Sequence, residues 1–379
     1  MDMQNVTITA KIQLHSTDEQ LSLLIDTARA YTKACNFVSK HIYKTHDLTM
    51  TSVNKALYQT IRKTFGLKSQ MTQSAIKTVI ARYKSLESNE HEWTNVVFHS
   101  YEYDLVWNRD YSLSKDGTFS LNTLSGRVKT TFDKLGMEQF FDGKWKFGTA
   151  KLVNKHGKLF LHVSVTKTFN LLTDSDVSSI VGVDRGIRFL VTSYDTNGKT
   201  TFYSGAQVKQ KRAHYKDLRS ELQRKQTSSA RKRLKQIGQR ENRWMRDVNH
   251  CVSKALVETN PSGTLFVLED LTGIRAVTEG VRLKDRYVSV SWAYYDLEQK
   301  LKYKAYMHGD KVIKVNAAYT SQTCPECGHV YAGNRDKHNH IFKCRKCGYT
   351  SNDDRIGAMN LCWKGMEYLA ESQNSISVL

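Results

Sequence analysis

Apolar residues fall on every second position where the chain begins, with Val6, Ile8, Ala10, Ile12 and Leu14 on one face, and this period predicts a half-buried strand. The alternation stops at Ser16-Thr17-Asp18-Glu19, a capping-box signature. Leu21, Leu24, Ile25, Ala28 and Tyr31 then recur at helical spacing, and Met71, Ala75, Ile76, Val79, Ile80 and Tyr83 extend a helical region to about Asn89. Most of residues 16–92 is predicted to be helix.

From Trp93 the pattern changes to short alternating runs separated by hairpin signals at Asp116-Gly117, at Asp142-Gly143 and around Asn154 to Gly157. The runs end with Leu159, Leu161, Val163 and Val165, and a polar joint over 172–176 marks a domain boundary. The first strand is a candidate partner for this sheet. A third region opens with Ile180-Val181-Gly182-Val183-Asp184, continues through Phe189 to Tyr194, turns at Asn197-Gly198 and returns over Thr201 to Tyr203. About fifty charged, helical residues separate it from Thr264 to Glu269, a fully apolar run ending in an acid. Strands alternating with helices predict an α/β domain.

A length of 379 residues is too great for one ordinary core and predicts a multidomain chain. Hydrophobic residues make up 40% of it, enough for sizeable cores, which excludes a disordered or low-complexity protein. The formal charge of +20 would repel itself in a compact state without a polyanionic partner, so nucleic acid leads the candidates. A membrane surface is the rival, but no apolar run is long enough to span one, and the expectation is a cytoplasmic, nucleoid-associated protein with no membrane partner.

Seven cysteines fit that compartment. Four form Cys324-x2-Cys327 and Cys344-x2-Cys347, a spacing that points to one structural zinc ion, since four thiolates leave no position for a substrate. Gly328 and Gly348 let the backbone turn behind each pair. Cys35, Cys251 and Cys362 read as small buried hydrophobes, and His329, His338 and His340 as solvated loop histidines.

Single carboxylates at strand ends are commonly turn residues or caps. Together, Asp184 after Val181-Gly182-Val183, Glu269 on its apolar run, and Asp354 ahead of Ile356, Ala358 and Leu361 suggest more. A glutamate so placed needs a cation or hydrogen-bond partner. Oxygen ligands suit magnesium, and one or two such ions serve phosphodiester hydrolysis. Asp270 and Asp353 are neighbours rather than ligands on this reading, Asp270 by strand alternation and Asp353 as a capping residue.

Between Lys209 and Arg246 cations far outnumber acids, and Lys211, Arg212, Arg231, Lys232, Arg233 and Lys235 are the candidate phosphate contacts. A solvated helix face is the alternative. Trp244, Val248, Val252 and Ala255 supply an apolar stripe for packing.

With those residues in place, the chain resembles the transposon-encoded TnpB family of RNA-guided nucleases, relatives of the small type V CRISPR effectors. Val181-Gly182-Val183-Asp184-Arg185-Gly186 is similar to the first RuvC motif, Val267-Leu268-Glu269-Asp270-Leu271 to the second, and Asp354-Arg355-Ile356-Gly357-Ala358-Met359-Asn360-Leu361 to the third. Thr320-Ser321-Gln322-Thr323-Cys324 resembles the approach to the family's zinc ribbon. The third motif departs from the family at Ile356 and Gly357, where Asn and Ala are frequent.

The resemblance implies an α/β multidomain protein, with an RNase H-like RuvC domain carrying a zinc-ribbon insertion. It also implies an amino-terminal β-barrel wedge domain interrupted by a helical recognition lobe. The expected boundaries are 1–15 for the first wedge strand, 16–92 for the lobe, 93–172 for the barrel, 173–320 and 349–379 for the nuclease, and 321–348 for the ribbon. It further implies an endonuclease using Asp184, Glu269 and Asp354, with a guide RNA pairing to double-stranded target DNA and no small-molecule cofactor. The alternatives are a guided or zinc-ribbon repressor without cleavage, or a compact type V CRISPR effector.

Overall fold

The computed structural model describes residues 3–155, 157–271, 294–316 and 318–376, so His156 in the turn before Gly157 and residues 272–293 of the expected nuclease segment lie outside the described residues. The chain forms two compact units, Asn5–Lys167 and Met1–Gln4 with Thr168–Leu379.

In the first unit, β1 (Met3–His15) is followed by α1 (Asp18–Thr45), α2 (Met50–Phe65) and α3 (Ser69–Ser88). Then come β2 (Glu102–Val106), β3 (Tyr111–Leu113), β4 (Phe119–Thr123), β5 (Gly126–Phe132), β6 (Lys146–Lys155) and β7 (Lys158–Asn170). Val6, Ala10, Ile12 and Leu14 are buried, as the alternation requires. The cap of α1 is one residue later than Ser16. Thr17 Oγ1 accepts from the Gln20 N–H at 3.3 Å, and Gln20 Oε1 accepts from the Thr17 N–H at 3.2 Å. A glutamine three residues into the helix closes the box as well as a glutamate does.

The seven strands order β2-β6-β7-β1-β5-β4-β3, so the first strand does join this sheet. Its two edges, β2 and β3, are separated by only four residues, which brings them together as a nearly closed, barrel-like sheet. Tyr111 on β3 donates its hydroxyl to the Gly148 carbonyl of β6 at 2.8 Å, and Trp107 packs edge-on to Tyr111 and Phe147. Asp116-Gly117 turns the β3–β4 hairpin, with Gly117 at φ 78°. Asp142-Gly143 does not turn a hairpin: β5 pairs with β1 and β4, β6 with β2 and β7, and this dipeptide only ends the connection between them. The helices are pinned to the sheet where Tyr31 and Thr78 both donate to Asp104 Oδ2.

The second unit contains β8 (Ser179–Asp184), β9 (Phe189–Asp195), β10 (Thr200–Ser204), α4 (Ala206–Lys225), α5 (Ser228–Glu258) and β11 (Thr264–Glu269). It continues with α6 (Tyr294–His308), β12 (Lys311–Val315), a small sheet of β13 (Arg335–Asp336), β14 (Ile341–Lys343) and β15 (Thr350–Asn352), and α7 (Asp353–Ile376). Its main sheet orders β10-β9-β8-β11-β12, antiparallel across β10, β9 and β8 and parallel across β8, β11 and β12.

Alternation along these strands builds two cores. Val181, Val183, Phe266 and Leu268 pack with Met245, Val252, Leu256, Leu297 and Leu301 of α5 and α6. On the other face Ile180, Leu265 and Val267 meet Leu361 and Cys362 of α7. This contact is at backbone range: a Cβ on Gly182 would lie 2.0 Å from the Ala358 carbonyl oxygen and 2.4 Å from the Cys362 nitrogen. Cys35 and Cys362 are buried as expected, but Cys251 is exposed, because the stripe of α5 runs through Val248 and Val252 and leaves 251 outside it. Among the described residues no helix is long and apolar enough to cross a membrane.

Candidate active site

Period-two geometry decides where the strand-end acids go. Asp184 shares a face with Ile180 and Gly182, and Glu269 shares one with Leu265 and Val267, so both carboxylates project to the side that α7 covers. Leu268 is in register with Val183, which sets the two strand ends side by side. The third acid comes from the first turn of α7. A Cβ on Gly357 would lie 3.0 Å from Asp184 Cγ, so it is the absence of a side chain there that lets the helix meet this carboxylate.

These acids act on one another. Burial, then the carboxylates of Glu269 and Asp354, push the Asp184 carboxyl well above the ordinary range. Burial and the neighbouring Asp353 raise Asp354 as well, with Arg335 opposing. Crowded carboxylates of this kind call for a cation. Asp354 Oδ2 is buried with no hydrogen-bond partner among the described residues, an orphaned acceptor aimed where an ion would satisfy it. An all-oxygen set of hard donors fits magnesium. Glu269 Oε1 accepts from the Thr320 hydroxyl, which leaves its other oxygen for such a role.

Among the described residues, the groups of three or more metal-capable ligand atoms lying within 4.8 Å of one another are the four cysteines and His340 with Asp353 and Asp354. Asp184 and Glu269 therefore approach Asp354 electrostatically without closing a cage around it. Asp353 is fully buried and accepts from Arg335 Nε at 2.8 Å, and His340 Nδ1 stands 3.3 Å from its other oxygen. His340 is thus not a bystander in a solvated loop. Its backbone carbonyl accepts from the Asp353 N–H across the foot of the ribbon, and this fold-back, invisible in sequence, brings it to the acids.

Asp270 follows the alternation rule and turns away to pair with Lys314 at 3.1 Å. Arg185, one residue beyond Asp184, does the same. Its side chain is 1% exposed, pairs with Glu298 of α6 at 3.4 Å and donates to the Glu269 carbonyl. It buttresses both strand ends from behind, a role signalled in sequence only by a cation following the strand-end acid.

The cysteines form the second centre. Cys324 and Cys347 sulfurs are 3.5 Å apart, and Cys327 and Cys344 sulfurs 3.6 Å. A tetrahedral zinc site with bonds of about 2.3 Å has sulfur–sulfur edges of about 3.8 Å, so the four fit that ion. Gly328 and Gly348, both at positive φ, return their N–H groups to the Cys324 and Cys344 carbonyls. Although burial opposes it, the N–H groups of Cys347 and Lys346, with the Cys347 and Cys327 thiols, bring the Cys344 thiol down to about 6. Burial pushes the Cys324 thiol of the same cluster up to about 12, so without a metal the four sulfurs hold their protons unevenly. The ribbon is fastened to α7 by Asn360, which donates to the Thr320 and Thr323 carbonyls at 2.6 and 2.9 Å.

On the α4–α5 hairpin, Lys211, Arg231, Lys232, Arg233 and Lys235 are exposed, and Lys211 lies 4.4 Å over the Trp244 ring. Arg212 is 5% exposed and so does not belong to the outward face. A helix run of cations does not reveal from composition which member turns inward.

Two family models match this unit and the end of the other. Residues 161–273 match a family described as a probable transposase, OrfB_IS605, and residues 294–361 match the Cas12f1-like TNB domain. The chain is 28% identical over 365 residues to the CRISPR-associated endodeoxyribonuclease Cas12f1 of Sulfoacidibacillus thermotolerans, covering 86% of this chain and 84% of that one. It is 28% identical over 268 residues to the putative RNA-guided DNA endonuclease InsQ of Escherichia coli K12, covering 62% of each. Among solved structures, a Cas12f1–sgRNA–target DNA complex superposes with a TM-score of 0.62 over 92% of this chain and 83% of that one, at 14% identity, a likeness of fold.

Proposed function

The chain is a relative of the TnpB-like and Cas12f1 proteins, and from that premise we propose that it is an RNA-guided DNA endonuclease whose acids Asp184, Glu269 and Asp354 cut target DNA. The observation that carries the proposal is the meeting of two adjacent parallel strand ends with the first turn of α7, three carboxylates on one face of one sheet. A guide RNA supplies sequence by base pairing, and the protein holds backbone and shape.

Magnesium, one ion or two, supplies charge for the scissile phosphate and lowers the pKa of the attacking water when bound. The chain's own residues do the rest. Asp184, Glu269 and Asp354 present oxygen donors from rigid elements, and Thr320 orients Glu269 by its hydroxyl. Arg185 fixes the Glu269 backbone. Cys324, Cys327, Cys344 and Cys347 hold one structural zinc, which keeps the ribbon folded ahead of Asp354. Lys211, Arg231, Lys232, Arg233 and Lys235 face solvent as phosphate contacts.

In finer detail, the main sheet of the second unit is read as an RNase H-like RuvC domain over 173–320 and 349–379, with 321–348 as its ribbon. The barrel-like sheet is read as a wedge domain over 1–15 and 93–172, and α1 to α3 as a recognition lobe over 16–92. The long match to Cas12f1 also supports a CRISPR effector of the same chemistry, which a neighbouring repeat array in place of a transposon end would establish.

The test is to purify the protein from cells carrying its native flanking DNA, sequence any bound RNA and supply a matching target library with magnesium. Guide-dependent cleavage that disappears in Asp184→Ala while target binding persists supports the proposal. Guided binding without cutting by the unaltered protein moves the reading to a repressor.

A further inference from the structure

Beside the acids the second unit carries a groove of about 620 Å³, lined by Ile187, Arg188, Phe189, Ser204, Lys209 and His340 among others. Three segments distant in sequence converge on it: the loop leaving β8, the joint between β10 and α4, and the ribbon. Its walls are braced. The Gly205 N–H donates to the Arg188 carbonyl at 2.7 Å, and a Cβ on Gly205 would lie 2.2 Å from the Ile187 carbonyl oxygen, so the first two segments touch backbone to backbone.

The chemistry of the lining is that of a single nucleic-acid strand. Arg188 on the loop leaving β8 and Lys209 on α4 are exposed cations, and His340 adds an imidazole from the ribbon. Phe189 of the lining packs its ring 4.7 Å from that of Phe202, which lies next to the groove on β10 and is 41% exposed. Thr200, Phe202 and Ser204 share one strand face, and Arg355 of α7 reaches Thr200 Oγ1 at 2.9 Å on it, so the aromatic pair looks toward the end of α7 that bears Asp354. Cations for phosphates beside an exposed ring for a base are the two parts of a single-strand platform.

We propose that this groove seats the nucleotide flanking the scissile phosphodiester, with Arg188 and Lys209 on its phosphate and Phe202, backed by Phe189, stacking on its base. The proposal rests on the endonuclease reading and assigns the residues that position the strand there.

The experiment uses full-length protein with its co-purified RNA. A short labelled oligothymidylate is titrated across a salt series without added magnesium, and the KM for guided cleavage is measured separately. Phe202→Leu, which keeps an apolar side chain but no ring, is expected to weaken oligonucleotide binding roughly 5- to 100-fold and raise KM, whereas Phe202→Tyr retains both. Lys209→Gln is expected to lower the slope of log affinity against log salt by about 0.7, and the distant Lys254→Gln to leave KM unchanged. If the unaltered protein cuts guided targets while Phe202→Leu and Lys209→Gln match it in affinity, salt slope and KM, the groove assignment is overturned and the nuclease reading stands. If the unaltered protein never cuts, yet Phe202→Leu weakens strand binding and Lys209→Gln lowers the salt slope as stated, the groove is a single-strand site, while the nuclease reading and the placement beside a scissile phosphodiester both fall.

Discussion

Gly182→Ala tests the packing that brings the third acid to the other two. The new methyl would lie 2.0 Å from the Ala358 carbonyl oxygen and 2.4 Å from the Cys362 nitrogen, and atoms on both sides of the contact belong to backbone. To relieve that overlap α7 must withdraw from β8 by about 1 Å, since neither a strand nor a helix can rotate a backbone atom aside. Overpacking costs about 1–3 kcal/mol where side chains can adjust, so the upper end or more applies here, less about 0.5 kcal/mol for the stiffer unfolded chain. At about 2–4 °C per kcal/mol, the midpoint of thermal unfolding should fall by at least about 5–10 °C. Because α7 bears Asp354, the same displacement should lower cleavage by about 100-fold even well below the midpoint. Gly365→Ala is the control on the same helix. Its methyl would meet Val267 Cγ2 at 2.6 Å and Ile180 Cγ2 at 2.7 Å, branch methyls of stiff, buried side chains, so strain remains, but it meets no backbone atom and the gain of about 1 kcal/mol in helix propensity offsets part of the cost. Calorimetry and guided cleavage on both variants decide the matter: a Gly182→Ala protein that melts within about 2 °C of the unaltered one and cuts at its rate refutes the argument.

Arg185→Ala leaves Glu298 buried without its partner and should cost about 3 kcal/mol in chemical denaturation, the low end for a broken buried pair because Lys302 and Lys314 also stand near Glu298; an unchanged midpoint would show that those lysines already suffice. Cys344→Ser should abolish stoichiometric zinc, measured by metal analysis, and lower cleavage, because Asp353 and Asp354 follow directly on the last strand of the ribbon; full zinc retention would count against the site. Burial and its acidic neighbours raise the Asp184 carboxyl in the metal-free fold, so the protonated form is favoured there relative to the unfolded chain. That contribution to stability is complete below the ordinary carboxylate range and is lost as pH rises through the raised value. Without magnesium, Asp184→Asn should therefore gain on the unaltered protein from about pH 4 upward, and a stability difference that stays flat with pH would contradict it.

Much of this site was legible because its parts are local. Val181 to Asp184 and Leu265 to Glu269 announce buried strands by composition, alternation assigns their acids to a face, and the paired cysteines announce zinc by spacing. The hairpin at Asp116-Gly117 was legible for the same reason, since its strands are adjacent in the chain. What escaped depends on distant partners. Asp142-Gly143 carries a hairpin dipeptide, yet β5 and β6 find their neighbours elsewhere in the sheet. His340 reaches Asp353 only through the fold of the ribbon, and Arg212 turns inward although its neighbours on the helix do not. Gly357 is visible in sequence as a glycine three residues after Asp354, but that the carboxylate it faces is Asp184 could be known only from the assembled sheet.

Asp184 and Asp354 stand 170 residues apart in the chain, and β8 meets α7 through a backbone contact that nothing made earlier can replace. At translation rates of about 5–20 residues per second, roughly 10–30 s pass on the ribosome between the synthesis of the first acid and that of the third. During that interval the strand-end carboxylates exist without the helix that completes the set, so on the proposed reading a nascent or interrupted chain carries its cations but has no assembled cutting centre. Under that proposal, linear order along the gene delays cleavage until the ribbon and its helix have been made.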